Sequence, residues 1–201
     1  MRVIAVTNPK GGVGKTTFST NLAGYFAAQG QTVMLGDMDV QQSSLSWLKI
    51  RPDNLARITP WQPADALPSK ASKGHMVLDT PAGLAGAALE QVLALATKIV
   101  IPLQPSIFDI LATQDFLNLI AQQKHRCEVG VLGMRVHARS RSADQLANYV
   151  NQLGLPVIGY LRDTQNYIQL AAHGATIWDV APSRVDKDLE QWEEVLRWIE
   201  R

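Results

Sequence analysis

Residues 8–17 read NPKGGVGKTT. Gly14-Lys15-Thr16 closes the phosphate-loop pattern G-x-x-x-x-G-K-[ST], but the leading position of that pattern falls on Pro9. A second lysine, Lys10, stands at the loop entrance. Glycines in such a loop let consecutive backbone N–H groups turn inward around an anion. A helix that starts directly after it adds the positive end of its dipole. Gly11, Gly12, Val13, Gly14 and Thr17 are therefore candidate phosphate contacts. Lys15 is placed to reach β- and γ-phosphates, and the Thr16 hydroxyl to ligate Mg²⁺.

Lys10 is not needed to hold phosphates in its own site. Its side chain is long enough to leave the loop and approach the triphosphate of a second copy, neutralising transition-state charge as an arginine finger does. The alternative is a solvated lysine that raises the local positive potential. The loop alone leaves both open.

Two further segments supply acids. Asp37 and Asp39 lie two residues apart in MLGDMDVQQSS, residues 34–44, at the C-terminal end of an expected strand, where α/β proteins place ligands. One carboxylate can serve a metal shell while the other orients a water; a helix cap or turn is the plainer use of such acids. HMVLDTPAG, residues 75–83, is an apolar strand ending in Asp79, a candidate Mg²⁺ ligand acting through water. The following loop places the Gly83 N–H near the γ-phosphate position, where it can report nucleotide state. No N-K-x-D segment is present, which favours ATP over GTP.

Positioning these residues requires strands that end in loops on one side of a sheet. Short apolar runs predict strands over 3–7, 32–36, 75–78, 98–103, 129–136 and 157–161, with a weak one near 56–59. Amphipathic stretches between them predict helices over 16–29, 43–49, 85–96, 107–125, 143–153, 165–173 and 185–200. Strands apolar on both faces and alternating with helices indicate an α/β fold with a mainly parallel twisted sheet flanked by helices. The expected organisation is a single P-loop NTPase domain over residues 1–201.

Composition agrees with a globular chain: 46% hydrophobic and 18% charged residues, with net charge +1. That balance excludes bulk electrostatic binding of nucleic acid, so any such binding needs a local patch. The single cysteine, Cys127, excludes an internal disulfide and reads as a small buried hydrophobe. No stretch approaches the ~20 apolar residues of a membrane span, and the N-terminus is not a signal peptide; a cytoplasmic location is expected.

KGGVGKTT resembles the deviant Walker A motif of the ParA/MinD family of P-loop ATPases. Nearly the whole chain is similar to that family, although only the first 83 residues contain sharp motifs. The resemblance implies a homodimer sandwiching ATP, in which Lys10 acts on the partner's phosphates. DMDVQ is similar to the family's D-x-D-P-Q segment, with Val40 in place of proline. This implies that Asp39 positions the attacking water and that Asp37 lies nearer Mg²⁺ and the phosphates. The chain is similar to the small, ParF-like ParA type without an N-terminal helix-turn-helix extension. That type implies non-specific DNA binding by the ATP dimer, nucleoid association, and slow hydrolysis stimulated by a small adaptor or centromere-binding protein. The cargo so positioned is a plasmid, a chromosome or a protein assembly.

The candidate DNA contacts are Arg135, Arg139 and Arg141 in MRVHARSR, with Arg184 and Lys187 at the start of the last helix. A solvated basic loop is the alternative. A MinD-like membrane switch needs a basic amphipathic terminal helix. Residues 184–201 are amphipathic through Leu189, Trp192, Leu196 and Ile199, but carry six acidic residues against four basic ones, which argues for a helix docked on the core. A metal-cluster carrier needs paired cysteines, and a metabolic P-loop ligase has no need of Lys10.

Overall fold

The computed structural model describes residues 1–67, 72–122, 125–137 and 140–201. Seven strands form one sheet: β1 (Arg2–Val6), β2 (Val33–Asp37), β3 (Thr59–Trp61), β4 (His75–Asp79), β5 (Lys98–Leu103), β6 (Glu128–Met134) and β7 (Val157–Leu161). Their order is β3-β2-β4-β1-β5-β6-β7, and every neighbouring pair is parallel. The connecting helices are α1 (Lys15–Ala28), α2 (Ser43–Lys49), α3 (Gly86–Leu95), α4 (Ile107–Gln122), α5 (Arg141–Gln152), α6 (Gln165–Ala171) and α7 (Asp186–Glu200).

Strand side chains alternate between two cores, as the two-residue period requires. Ile4, Val6, Val77, Val100 and Leu132 face the layer of α1, α6 and α7. Val3, Ala5, Leu78, Ile99, Ile101 and Val131 face α3, α4 and α5. Both faces are covered, which is why the strands read as continuous apolar runs. In α1, Phe18, Leu22 and Phe26 recur every four residues and are buried; Phe18 stacks on Trp192 of α7 at 5.0 Å between ring centroids.

The two prolines within strands sit where the ladder tolerates them. Pro60 is in β3 at the sheet edge. Pro102 lies in β5 beyond the last residue paired with β1, and its carbonyl accepts from Asn8 Nδ2 at 2.8 Å. The weak strand expected near 56–59 is observed later, at Thr59–Trp61, where the edge position accommodates Pro60. Two 3₁₀ turns, Ile177–Asp179 and Pro182–Arg184, were not anticipated. The first is held by a Thr176/Asp179 capping box and by the buried Arg51–Asp179 ion pair. The amphipathic face expected of the last helix is spent internally: Trp192, Leu196 and Ile199 are buried, with Leu189 packed beside them. Cys127 is buried, as expected.

Phe18 fixes the start of α1 through its stack on Trp192. Phe18→Ala is expected to lower unfolding stability by about 3–5 kcal/mol, measured by urea denaturation. A loss below about 1 kcal/mol would show that the α1–α7 contact does not anchor the loop.

Candidate phosphate-binding site

β1 runs into the loop through Thr7 and Asn8, both fully buried. Asn8 clamps the loop from both sides, since its Nδ2 donates to Pro102 O and its Oδ1 accepts from Lys10 N at 2.8 Å. Gly12 and Gly14 have φ of 74° and 97°, a region that only glycine enters freely. A Cβ on Gly14 would also lie 2.6 Å from Met134 Cε. A Cβ on Gly11 or Gly12 would meet nothing within 4 Å among the described residues beyond its chain neighbours, so the cradle opens outward there. Val13 is 2% exposed and ties the loop to the core, leaving only its main chain for a ligand.

Lys15 turns its ammonium into the loop. Its Nζ donates to the Lys10 carbonyl at 2.8 Å and the Asn8 carbonyl at 3.2 Å. Burial lowers its pKa, and the charges of Asp79 and Asp39 act in the opposite direction. Opposite it, Thr16 Oγ1 donates to Asp79 Oδ2 at 2.7 Å. Among the described residues, Asp79 Oδ1 is buried without a hydrogen-bond partner. Burial pushes the Asp79 carboxyl up to about 6, against the pull of the Thr16 hydrogen bond. A buried carboxylate with one idle oxygen beside a threonine hydroxyl suits Mg²⁺, which takes few protein oxygens and completes its shell with phosphate and water. The cleft holds about 490 Å³ and is lined by the loop, Asp37, Asp39, Asp79 and Arg135.

The two acids after β2 separate in role. Asp37 is 1% exposed, and both its oxygens are engaged: Oδ1 accepts from Asp39 N, and Oδ2 from Ser44 N and Ser44 Oγ at 2.7–2.9 Å. The helix-cap use of this acid is therefore realised, and its Oδ1, with a single donor, keeps acceptor capacity for a metal. Asp39 is partly exposed, and its Oδ1 accepts from Gln41 N at 2.9 Å. Val40, where the resemblance led us to expect proline, is 99% exposed. The Gly83 N–H donates to the Pro9 carbonyl at 2.9 Å. The proline at the loop entrance thus has a main-chain partner, and the Gly83 N–H is engaged by the loop.

Comparison with known proteins agrees with this geometry. The CobQ/CobB/MinD/ParA nucleotide binding domain matches residues 4–177. The chain belongs to this family. It is 33% identical over 186 residues to "Maintenance of carboxysome distribution protein A" of Gloeobacter kilaueensis, covering 88% of this chain and 83% of that one. It is 38% identical over 91 residues to "Chromosome-partitioning ATPase Soj" of Thermus thermophilus, covering 45% and 36% of the two chains. Its fold superposes with a TM-score of 0.75, at 16% identity and over 100% and 96% of the chains, on the septum site-determining protein MinD complexed with Mg-ADP from Pyrococcus horikoshii. The chain thus belongs to the ParA/MinD-type family of positioning and partitioning ATPases and has their P-loop fold.

Within this ParA/MinD fold the basic residues scatter. Arg135 leaves β6 in a left-handed conformation, φ 56°, and lines the phosphate cleft near Asp163, with Nε–Oδ1 at 4.0 Å. It is exposed and begins the connection from β6 to α5 that Arg141 closes. Arg141 opens α5, Arg184 closes the second 3₁₀ turn and Lys187 lies in the first turn of α7; all three are exposed. Arg139 lies outside the described residues. Sequence reasoning missed Asn8, although NPK was quoted, and it missed Asp109, whose carboxylate pairs with Lys10 Nζ. Nothing in the sequence near Asp109 signals that contact.

Asp79 also makes a stability prediction. Its folded pKa lies above the ~3.9 of an unfolded aspartate, so its burial costs nothing below pH 4 and its full penalty applies above pH 6. Asp79→Asn should therefore stabilise the protein without nucleotide or metal at pH 7.5, by at most about 3 kcal/mol, and give no gain at pH 4. Denaturant midpoints at the two pH values measure this, and equal effects at both would rule out a buried charge as the cause.

Proposed function

We propose that this protein is an ATP-driven dimerisation switch that binds DNA non-specifically and positions a plasmid, a chromosome or a protein cargo. The observation that carries this reading is the separation of the two loop lysines. Lys15 fills the cradle of its own loop, and the side chain of Lys10 lies outside it, 36% exposed. A lysine so placed is available to a second copy in a way that Lys15 is not.

Gly11, Gly12, Val13, Gly14 and Thr17 bind the phosphates through their main chain, and Lys15 exchanges its loop carbonyls for phosphate oxygens. Thr16 and Asp79 hold Mg²⁺, with Asp37 outside them as the brace of the Asp39 loop. Mg²⁺ held there would supply positive charge against the phosphate oxygens. Asp39 orients the water and accepts its proton, and Lys10 of the partner copy offsets charge developing on the phosphoryl oxygens. Arg141, Arg184 and Lys187, with Arg139, give the dimer salt-sensitive phosphate contacts to duplex DNA. A small adaptor or centromere-binding protein stimulates turnover. The named relatives that distribute carboxysomes and partition chromosomes support the positioning role. A membrane-bound switch is disfavoured because the apolar face of α7 is already buried against the core.

Three substitutions test the scheme. Lys15→Ala should abolish ATP binding. Lys10→Ala should retain ATP but lose ATP-dependent dimerisation, and partner-stimulated turnover should fall about 10³-fold, as for a finger supplied in trans. Asp39→Ala should trap an ATP dimer that stays on duplex DNA at low salt and leaves it at high salt. A Lys10→Ala protein that still dimerises with ATP defeats the switch; a trapped dimer with no DNA retention defeats the DNA role alone.

A further inference from the structure

A groove of about 550 Å³ lies at the β3 edge of the sheet, between α2 and the segment that leads into β3. Its apolar lining comes from both walls. Leu45 and Leu48 share a face of α2, and Leu55 and Ile58 face them from the other segment. Leu45 and Ile58 are buried and Leu48 and Leu55 half-buried, whereas Lys49, Asp53 and Arg57 are exposed around them. Among the described residues, none of these three charges has an ion-pair partner. The rim therefore carries two free cations against one free acid. The wall opposite α2 is fixed: Arg51 Nε and Nη2 donate to Ala56 O at 3.1 and 3.0 Å, and the same guanidinium holds Asp179 through two bonds of 2.9 Å.

An apolar floor with a cationic rim fits an occupant that is apolar on one side and acidic along its border. An added strand does not fit, because Pro60 stands in the middle of the three-residue edge strand and has no N–H to offer it. Two free cations over an apolar floor are also a poor match for nucleic acid, whose binding grows with the number of phosphates neutralised. We propose that the groove docks an amphipathic helix of a partner protein, with its apolar face on the four leucine and isoleucine side chains and its carboxylates against Lys49 and Arg57. α2 joins this groove to the phosphate site. Ser44, in its first turn, donates from N and Oγ to Asp37 Oδ2, and Asp39 N donates to Oδ1 of the same carboxylate. The start of α2 and the Asp39 loop thus share one acid, so docking and nucleotide binding each bias the other. Docking rests on the groove alone; its nucleotide dependence rests on the role of the Asp39 loop proposed above.

The probes are two fluorescein-labelled helical peptides with the same leucines at spacings of three and four, one carrying glutamates and the other lysines at the flanking positions. Fluorescence anisotropy with the full chain gives their dissociation constants, without nucleotide and with a non-hydrolysable ATP analogue and Mg²⁺. The glutamate peptide should bind more tightly than the lysine peptide. Lys49→Gln together with Arg57→Gln, both at exposed positions, should weaken the glutamate peptide about 2- to 25-fold, the worth of two exposed ion pairs. Lys49→Glu together with Arg57→Glu should reverse the preference. The affinity of the glutamate peptide should differ at least about 5-fold between the two nucleotide states. Failure of both peptides to bind, equal affinity for the two, or a preference unmoved by the charge reversal overturns the proposal. Displacement of the bound peptide by duplex DNA at low salt assigns the groove to nucleic acid and overturns it as well. Equal affinity in the two nucleotide states overturns the link through α2. A Lys10→Ala chain that still dimerises with ATP defeats the switch but leaves these readings of the groove standing.

Discussion

The phosphate end of this protein is organised around a buried ammonium. Lys15 is 8% exposed and is held by two main-chain carbonyls of its own loop, with Asp79 and Asp39 as the nearby countercharges. Removing a cation from water is costly unless hydrogen bonds and opposite charge offset it. The loop therefore has to curl tightly enough for carbonyls 5 and 7 residues back to meet the Nζ. That curl is possible only with glycines at 12 and 14, and Asn8 and Val13 keep it from relaxing.

The acids owe their positions to strand order. β4 lies between β1 and β2, with Val6 opposite Asp79 and Asp37 opposite Asp79 across the two ladders. Three successive strand ends thus bring the loop, Asp79 and Asp37 onto one edge. At this edge the connection from β1 crosses to one side of the sheet and the connection from β5 to the other, the arrangement that leaves a crevice for ligands in parallel sheets. Burial there leaves Asp79 with a raised pKa and an idle oxygen. The protein carries a locally unfavourable site that a cation would relieve, a common compromise between stability and activity.

Two lysines five residues apart end in different surroundings because one donates to the carbonyls of its own loop and the other meets α4. The first is enclosed by its own turn. The second bridges chain segments that are distant in sequence.

The loop, its strand and helix, and Asp79 at a strand end were legible in the sequence because each depends on consecutive residues: a nest of N–H groups, a period of two and a helix start are all local. Strand boundaries at 98–103 and 157–161 and the helix at 43–49 are observed as expected for the same reason. Tertiary structure decided everything that required two segments to meet. Asp109 lies 99 residues from Lys10 and reaches it only because β5, which leads into α4, pairs beside β1. The hydrogen bonds that Asp39 N and Ser44 give to the Asp37 oxygens, and the place of Arg135 in the cleft lining, likewise depend on how segments meet. Apolar periodicity marks which residues form strands. It carries almost no information on which strand lies next to which, because buried parallel strands share one pattern, so contacts across the sheet become visible only when the strand order is known.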